Sequence, residues 1–109
     1  MSFSTKYELV AEEVHQIAID KGWWDTPRND GELICLMHSE LSEALEGLRH
    51  NDPPDNHLPE FKSSEVEMAD TIIRIMDYGK ARGLRIGEAI EAKINYNRLR
   101  SHKHGGKVF

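Results

Sequence analysis

Apolar residues recur along this chain at the three-and-four spacing of an amphipathic helix, in four stretches divided by turn-forming residues. In the first, Leu9, Val10, Val14, Ile17 and Ala18 predict a helix from about Ser4 to Lys21. Ser4 or Thr5 is its expected cap and Gly22 its expected stop. The second starts near Asp30 or Gly31, where Leu33, Met37, Leu41, Ala44 and Leu48 make a stripe that Ile34 and Leu36 widen. The third opens at Ser63 or Ser64, carries Val66, Ala69, Ile72, Ile73 and Met76, and stops at Gly83. The fourth runs from about Ile86 to Leu99, with Ala89, Ile90, Lys93, Ile94 and Asn97 on related faces. Between the first two lies a loop with two bulky aromatics, Trp23 and Trp24, and between the second and third a proline-rich loop from His50 to Pro59. No segment alternates as a strand does, and nothing repeats. The expectation is an all-α, four-helix bundle-like domain over residues 1–109, whose last residues, Ser101 to Phe109, form a basic, glycine-bearing tail.

Size and charge narrow the partners. A chain of 109 residues supports one domain with a modest core, so completion of that core by dimerisation is expected. With 14 basic and 19 acidic residues, the net charge of −5 argues against non-specific nucleic-acid binding, which needs a basic face. Cys35 is the only cysteine, so no intrachain disulfide forms and a cytoplasmic setting is expected. The longest apolar run, Leu33 to Met37, is too short to span a membrane, and Met1 to Lys6 lack the basic-then-apolar order of a signal peptide.

Two short acidic motifs carry the chemistry. Glu40-Leu-Ser-Glu43 and Glu67-Met-Ala-Asp70 each place two carboxylates three residues apart, on one face of a helix and beside its apolar stripe. Such pairs are common on solvated helix faces, and Ser64 with Glu67 also reads as a capping box. Position argues for a site. The small residues Ser39, Ser42, Ala44 and Ala69 allow close helix approach at this level, where four converging carboxylates need a cation among them. An all-oxygen donor set suits Mg²⁺, with Mn²⁺ as a substitute, so Glu40, Glu43, Glu67 and Asp70 are the candidate metal ligands. Glu40 or Glu43 is the candidate to orient or deprotonate water.

Other residues carry open alternatives. Lys93, Asn97 and Arg100 lie about one turn apart, as solvated helix-end groups or as a phosphate-facing stripe. Trp23 and Trp24 can stack on a base or close a core or subunit interface. Arg74, four residues after Asp70, is expected to pair with it.

The order of the acidic motifs resembles the MazG-like family of all-α nucleotide pyrophosphohydrolases, whose pattern is Glu-Glu-x-x-Glu on one helix and Glu-x-x-Asp on the next. Ser39 stands where the family has its first glutamate, so four of five acids are present. The resemblance extends over Leu36 to Glu46, over Gly83-Leu84 with Glu88-Ala89-Ile90, and over Lys93-x-x-x-Asn97-x-x-Arg100 with His104-Gly-Gly-Lys107. It implies Mg²⁺-dependent cleavage of (deoxy)nucleoside triphosphates between the α- and β-phosphates, in nucleotide-pool house-cleaning. It also implies a phosphate-facing role for Lys93, Asn97, Arg100, His104 and Lys107, and a homodimer or homotetramer. Two rivals stand beside it. A dimetal carboxylate bundle needs two Glu-x-x-His motifs, and this chain has only Glu12-Glu-Val-His15. A non-catalytic helical dimerisation or nucleotide-binding module would leave the carboxylates as surface charge.

Overall fold

The first three helices begin where a side chain can take up free backbone amides. In the computed structural model, which describes residues 1–100, α1 spans Phe3–Asp20, α2 Asp30–Arg49, α3 Ser63–Arg82 and α4 Ile86–Leu99. The cap of α1 is Ser2, two or three residues before the expected Ser4 or Thr5, and its Oγ accepts from the Thr5 amide at 3.2 Å. Asn29 caps α2 by accepting from the Glu32 amide at 2.8 Å. At α3 the expected Ser64–Glu67 capping box is replaced. Asp52 reaches in from the preceding loop and accepts from the Ser64 amide at 2.8 Å and the Ser64 hydroxyl at 2.6 Å. The Glu65 carboxylate takes the Lys62 amide at 2.9 Å. Two other residues thus do the capping, and Glu67 is left for the interior. Gly22 and Gly83 follow α1 and α3 in the left-handed region, at φ 86° and 67°, where a Cβ would be strained.

α3 lies against both α1 and α2, whereas α4 docks on α1. That last crossing is close. A Cβ at buried Gly87 would stand 3.1 Å from Tyr7 Cδ1 and 3.2 Å from the Ser4 carbonyl oxygen. The described residues contain no strand, only an isolated bridge between Pro54 and Lys62. None of their helices is long and apolar enough to cross a membrane.

The buried face of α2 keeps Leu33, Met37 and Ala44 of the stripe the sequence predicts but not Leu41 and Leu48. Leu33, Met37, Glu40 and Ala44 point inward, at spacings of four, three and four, while Leu41 and Leu48 are about half exposed. On α3 the buried residues are Ser64, Thr71 and Gly79, and Met68, Ile72 and Ile73 are exposed. The cause is angular. A residue one position along a helix lies about 100° around it, so a helix that turns Glu40 inward turns Leu41 away. The inner seam of the α2–α3 pair is therefore partly charged and its outer side strongly apolar.

Candidate metal centre and adjoining cavity

Glu40 enters the α2–α3 seam between Met37 and Ala44, and Ala44 is small enough to leave room beside it. Glu67 and Asp70, three residues apart on α3, meet it from the other side. Ligand oxygens of Glu40, Glu67 and Asp70 lie within 4.8 Å of one another, and among the described residues this is the one such group of His, Cys, Asp or Glu. Glu40 is only 9% exposed. Glu43, the fourth candidate ligand, is exposed and stands outside the triad, though near enough to act on Glu67.

Electrostatics make this cluster unstable as a set of bare anions. The Glu67 carboxyl is pushed up to about 8, first by the Glu40 carboxylate at hydrogen-bonding range, then by burial, then by Glu43. Two carboxylates can face each other at that range only with a proton or a cation between them. The second oxygen of Glu67, Oε2, is buried and has no hydrogen-bond partner. Burial raises Asp70 as well, reinforced by the charge on Glu40 and opposed by Arg74. A divalent cation would relieve all three groups. The donors are all oxygen and one is unpaired, which fits a hard ion.

The expected Arg74–Asp70 pair is replaced by a cross-helix one. Arg74 Nε and Nη2 both approach Glu40 Oε1, each at 3.0 Å. Glu40 is the carboxylate most completely removed from water, so a cation gains most by sitting there.

A cavity of about 250 Å³ opens beside the triad, and Glu40, Asp70 and Arg74 form part of its wall. Both candidate tryptophans line it. Trp23 is half exposed, and the Arg28 and Arg74 guanidinium carbons lie 5.8 and 5.9 Å from its ring. Trp24 is held more firmly. Its Nε1 donates to both Asp77 oxygens, at 3.0 and 3.1 Å, and Arg82 lies 5.7 Å from its ring. His15 Nδ1 approaches Asp77 Oδ1 at 2.6 Å and its ring meets Trp24 edge-on at 5.6 Å. Sequence reasoning missed this His15–Asp77–Trp24 network. One signal was available: Asp77 follows Asp70 by seven residues, two helical turns, and so extends the same line of acids. His15 belongs to that network and not to a dimetal half-motif.

Other candidates lie elsewhere. Lys93, Asn97 and Arg100 are exposed on or just after α4, and none lines the cavity. Lys93 Nζ rests 4.5 Å from the Tyr96 ring and the Arg100 guanidinium 5.8 Å from the same ring. His104 and Lys107 lie outside the described residues. Ser39 is exposed and donates to the Leu36 carbonyl of its own helix at 2.7 Å, away from the triad. Comparison with protein-family models, with curated proteins and with solved structures finds no match.

Proposed function

We propose that this chain is a Mg²⁺-dependent nucleoside triphosphate pyrophosphohydrolase, similar to the MazG-like enzymes, that cleaves (deoxy)nucleoside triphosphates to monophosphate and pyrophosphate. The observation that carries the reading is the orphaned, buried Glu67 oxygen within a three-carboxylate cluster that borders a tryptophan-lined cavity. Glu40, Glu67 and Asp70 would hold the ion, and Glu43 borders them from solvent. A bound Mg²⁺ supplies charge neutralisation at the phosphates and lowers the pKa of a coordinated water. The chain's own groups do the rest. Trp23 and Trp24 offer flat apolar surface to a base. Asp77, with His15 and Trp24 bound to it, keeps the Trp24 ring in one orientation. Glu43, exposed and outside the triad, is the carboxylate left free to orient or deprotonate the attacking water. Mn²⁺ fits the same donors.

A second copy of the chain completes this reading. Leu41, Leu45 and Leu48 on α2 and Met68 and Ile72 on α3 are each about half exposed, apolar surface that a partner would remove from water. A homodimer, or a dimer of dimers, covers it. Lys93, Asn97 and Arg100 enter the site only as residues of such a neighbour.

The test is to incubate the protein with a panel of canonical and modified ribo- and deoxynucleoside triphosphates, with Mg²⁺ and with chelator, and to identify products by mass. Monophosphate plus pyrophosphate with Mg²⁺ alone is the expected result. Diphosphate plus orthophosphate would overturn the bond assignment. No turnover on any nucleotide would leave a helical dimerisation or nucleotide-binding module.

A further inference from the structure

Arg74 is the only cation among the described residues that both lines the cavity and touches the carboxylate triad. Three other cations, on α3 or just before α2, are committed elsewhere. Arg28 is paired with Glu32 at 3.0 Å, and Arg82 with Asp30 at 2.7 Å and with the Arg28 carbonyl at 2.7 Å. Lys80 is paired with Glu8 at 3.0 Å.

The Arg74 pair itself is built to be exchanged. A guanidinium binds a carboxylate best with two parallel bonds to its two oxygens. Here Nε donates to Oε1, Nη2 lies 3.0 Å from the same oxygen, and no hydrogen bond from Arg74 reaches Glu40 Oε2. The Arg74 side chain is also more exposed than its partner, 30% against 12%, so the guanidinium stands on the open side of the bond. A divalent cation held by Glu40, Glu67 and Asp70 would neutralise the charge that holds Arg74 and repel the guanidinium directly. The cavity then presents a fork of N–H donors suited to two oxygens of one phosphate.

We propose that Arg74 is the phosphate-binding residue of this site, held in reserve on Glu40 and transferred to the polyphosphate of the substrate when Glu40 is engaged by a divalent cation. The proposal rests on the metal-dependent reading above and adds the residue that receives the phosphates. It makes Arg74 a competitor of the metal in the free protein and an ally of the metal once substrate is present. Removing it should therefore move two affinities in opposite directions, which a merely structural residue would not do.

The experiment titrates Mn²⁺ alone into the full chain, then an α,β-methylene nucleoside triphosphate into the Mn²⁺-loaded protein at constant free Mn²⁺, by calorimetry. The proteins are the wild type, Arg74→Met and Arg74→Lys, each checked for helix content. The expected result is that Arg74→Met binds Mn²⁺ several-fold more tightly and the methylene nucleotide roughly tenfold more weakly, the loss of charged hydrogen bonds to phosphate. Arg74→Lys should recover part of the nucleotide affinity. If both affinities are unchanged in Arg74→Met, the role given to Arg74 is wrong and the metal centre stands. Parallel weakening of both in Arg74→Met and in Arg74→Lys would show a structural residue and overturn the proposal. A wild-type chain that takes up no Mn²⁺ would overturn the metal centre, and the proposal with it.

Discussion

The two sides of the α2–α3 pair reverse the usual arrangement of a folded chain. On the inner side Glu40 is 9% exposed, and on the outer side its neighbour Leu41 is 49% exposed. Burying a carboxylate costs several kcal/mol unless it is paired, whereas exposing apolar surface costs about 25 cal/mol per Å². Neither side is at its optimum as it stands. Each would be put right by something added, a cation inside and an apolar surface outside. The difference teaches that one helix pair serves two demands through a single rotation: the turn that aims the acids inward also leaves the leucines bare.

The sharpest way to break the inner side is to neutralise it without changing its shape. Glu40→Gln, Glu67→Gln and Asp70→Asn should each lower Mg²⁺-dependent turnover by about 100-fold or more while circular dichroism stays helical. Full activity in any one of them would remove that residue from the centre. On the outer side, Leu45→Glu combined with Ile72→Glu should convert an oligomer to a monomer in light scattering, since both residues are about half exposed. An unchanged mass would mean that this face is not the contact.

Two smaller effects sharpen the contrast. Gly87→Ala puts a methyl against Tyr7 and the Ser4 carbonyl, and should cost about 1–3 kcal/mol in denaturant unfolding, by overpacking the α1–α4 crossing. Mg²⁺ binding should be unaffected, because α4 does not line the cavity. The smallest concerns pH. The Glu67 carboxyl is held up at about 8 against an ordinary value of 4.5, so the folded chain holds an extra proton between those values. Its contribution to stability is complete below about 4.5 and is lost as pH rises through about 8. The metal-free wild type should therefore lose Tm between pH 5 and 8 by more than Glu67→Gln does, and Mg²⁺ should restore the wild type at pH 8. Equal slopes for the two proteins would show that the inner carboxylates are not coupled.

Much of this was legible in the residues in order. Four helices, their stops at Gly22 and Gly83 and the loops between them follow from apolar spacing and turn chemistry, which act within a few residues. The pairing of Glu67 with Asp70 on one face follows from the same helical period. Sequence reasoning also named Trp23 and Trp24, though it left open what they face.

What only the tertiary structure decided is how those faces meet. The sequence set the acids beside a stripe running through Leu41 and Leu48, and packing kept Leu33, Met37 and Ala44 inside with Glu40 while leaving Leu41 and Leu48 half exposed. Arg74 passed over the carboxylate four residues away for one on another helix, and Asp52, twelve residues before Ser64, took over the cap. His15, Trp24 and Asp77, which stand on α1, a loop and α3, became one network. The α4 cations, close to the acids in the expected chemistry, stand on a helix that docks on α1 and lines no part of the cavity. The physical reason is common to all. Helix formation is governed by bonds between residues four apart, which the sequence determines directly. The rotation of one helix against another is set by the sum of many weak contacts and by the cost of burying charge, and these exist only once the helices are side by side.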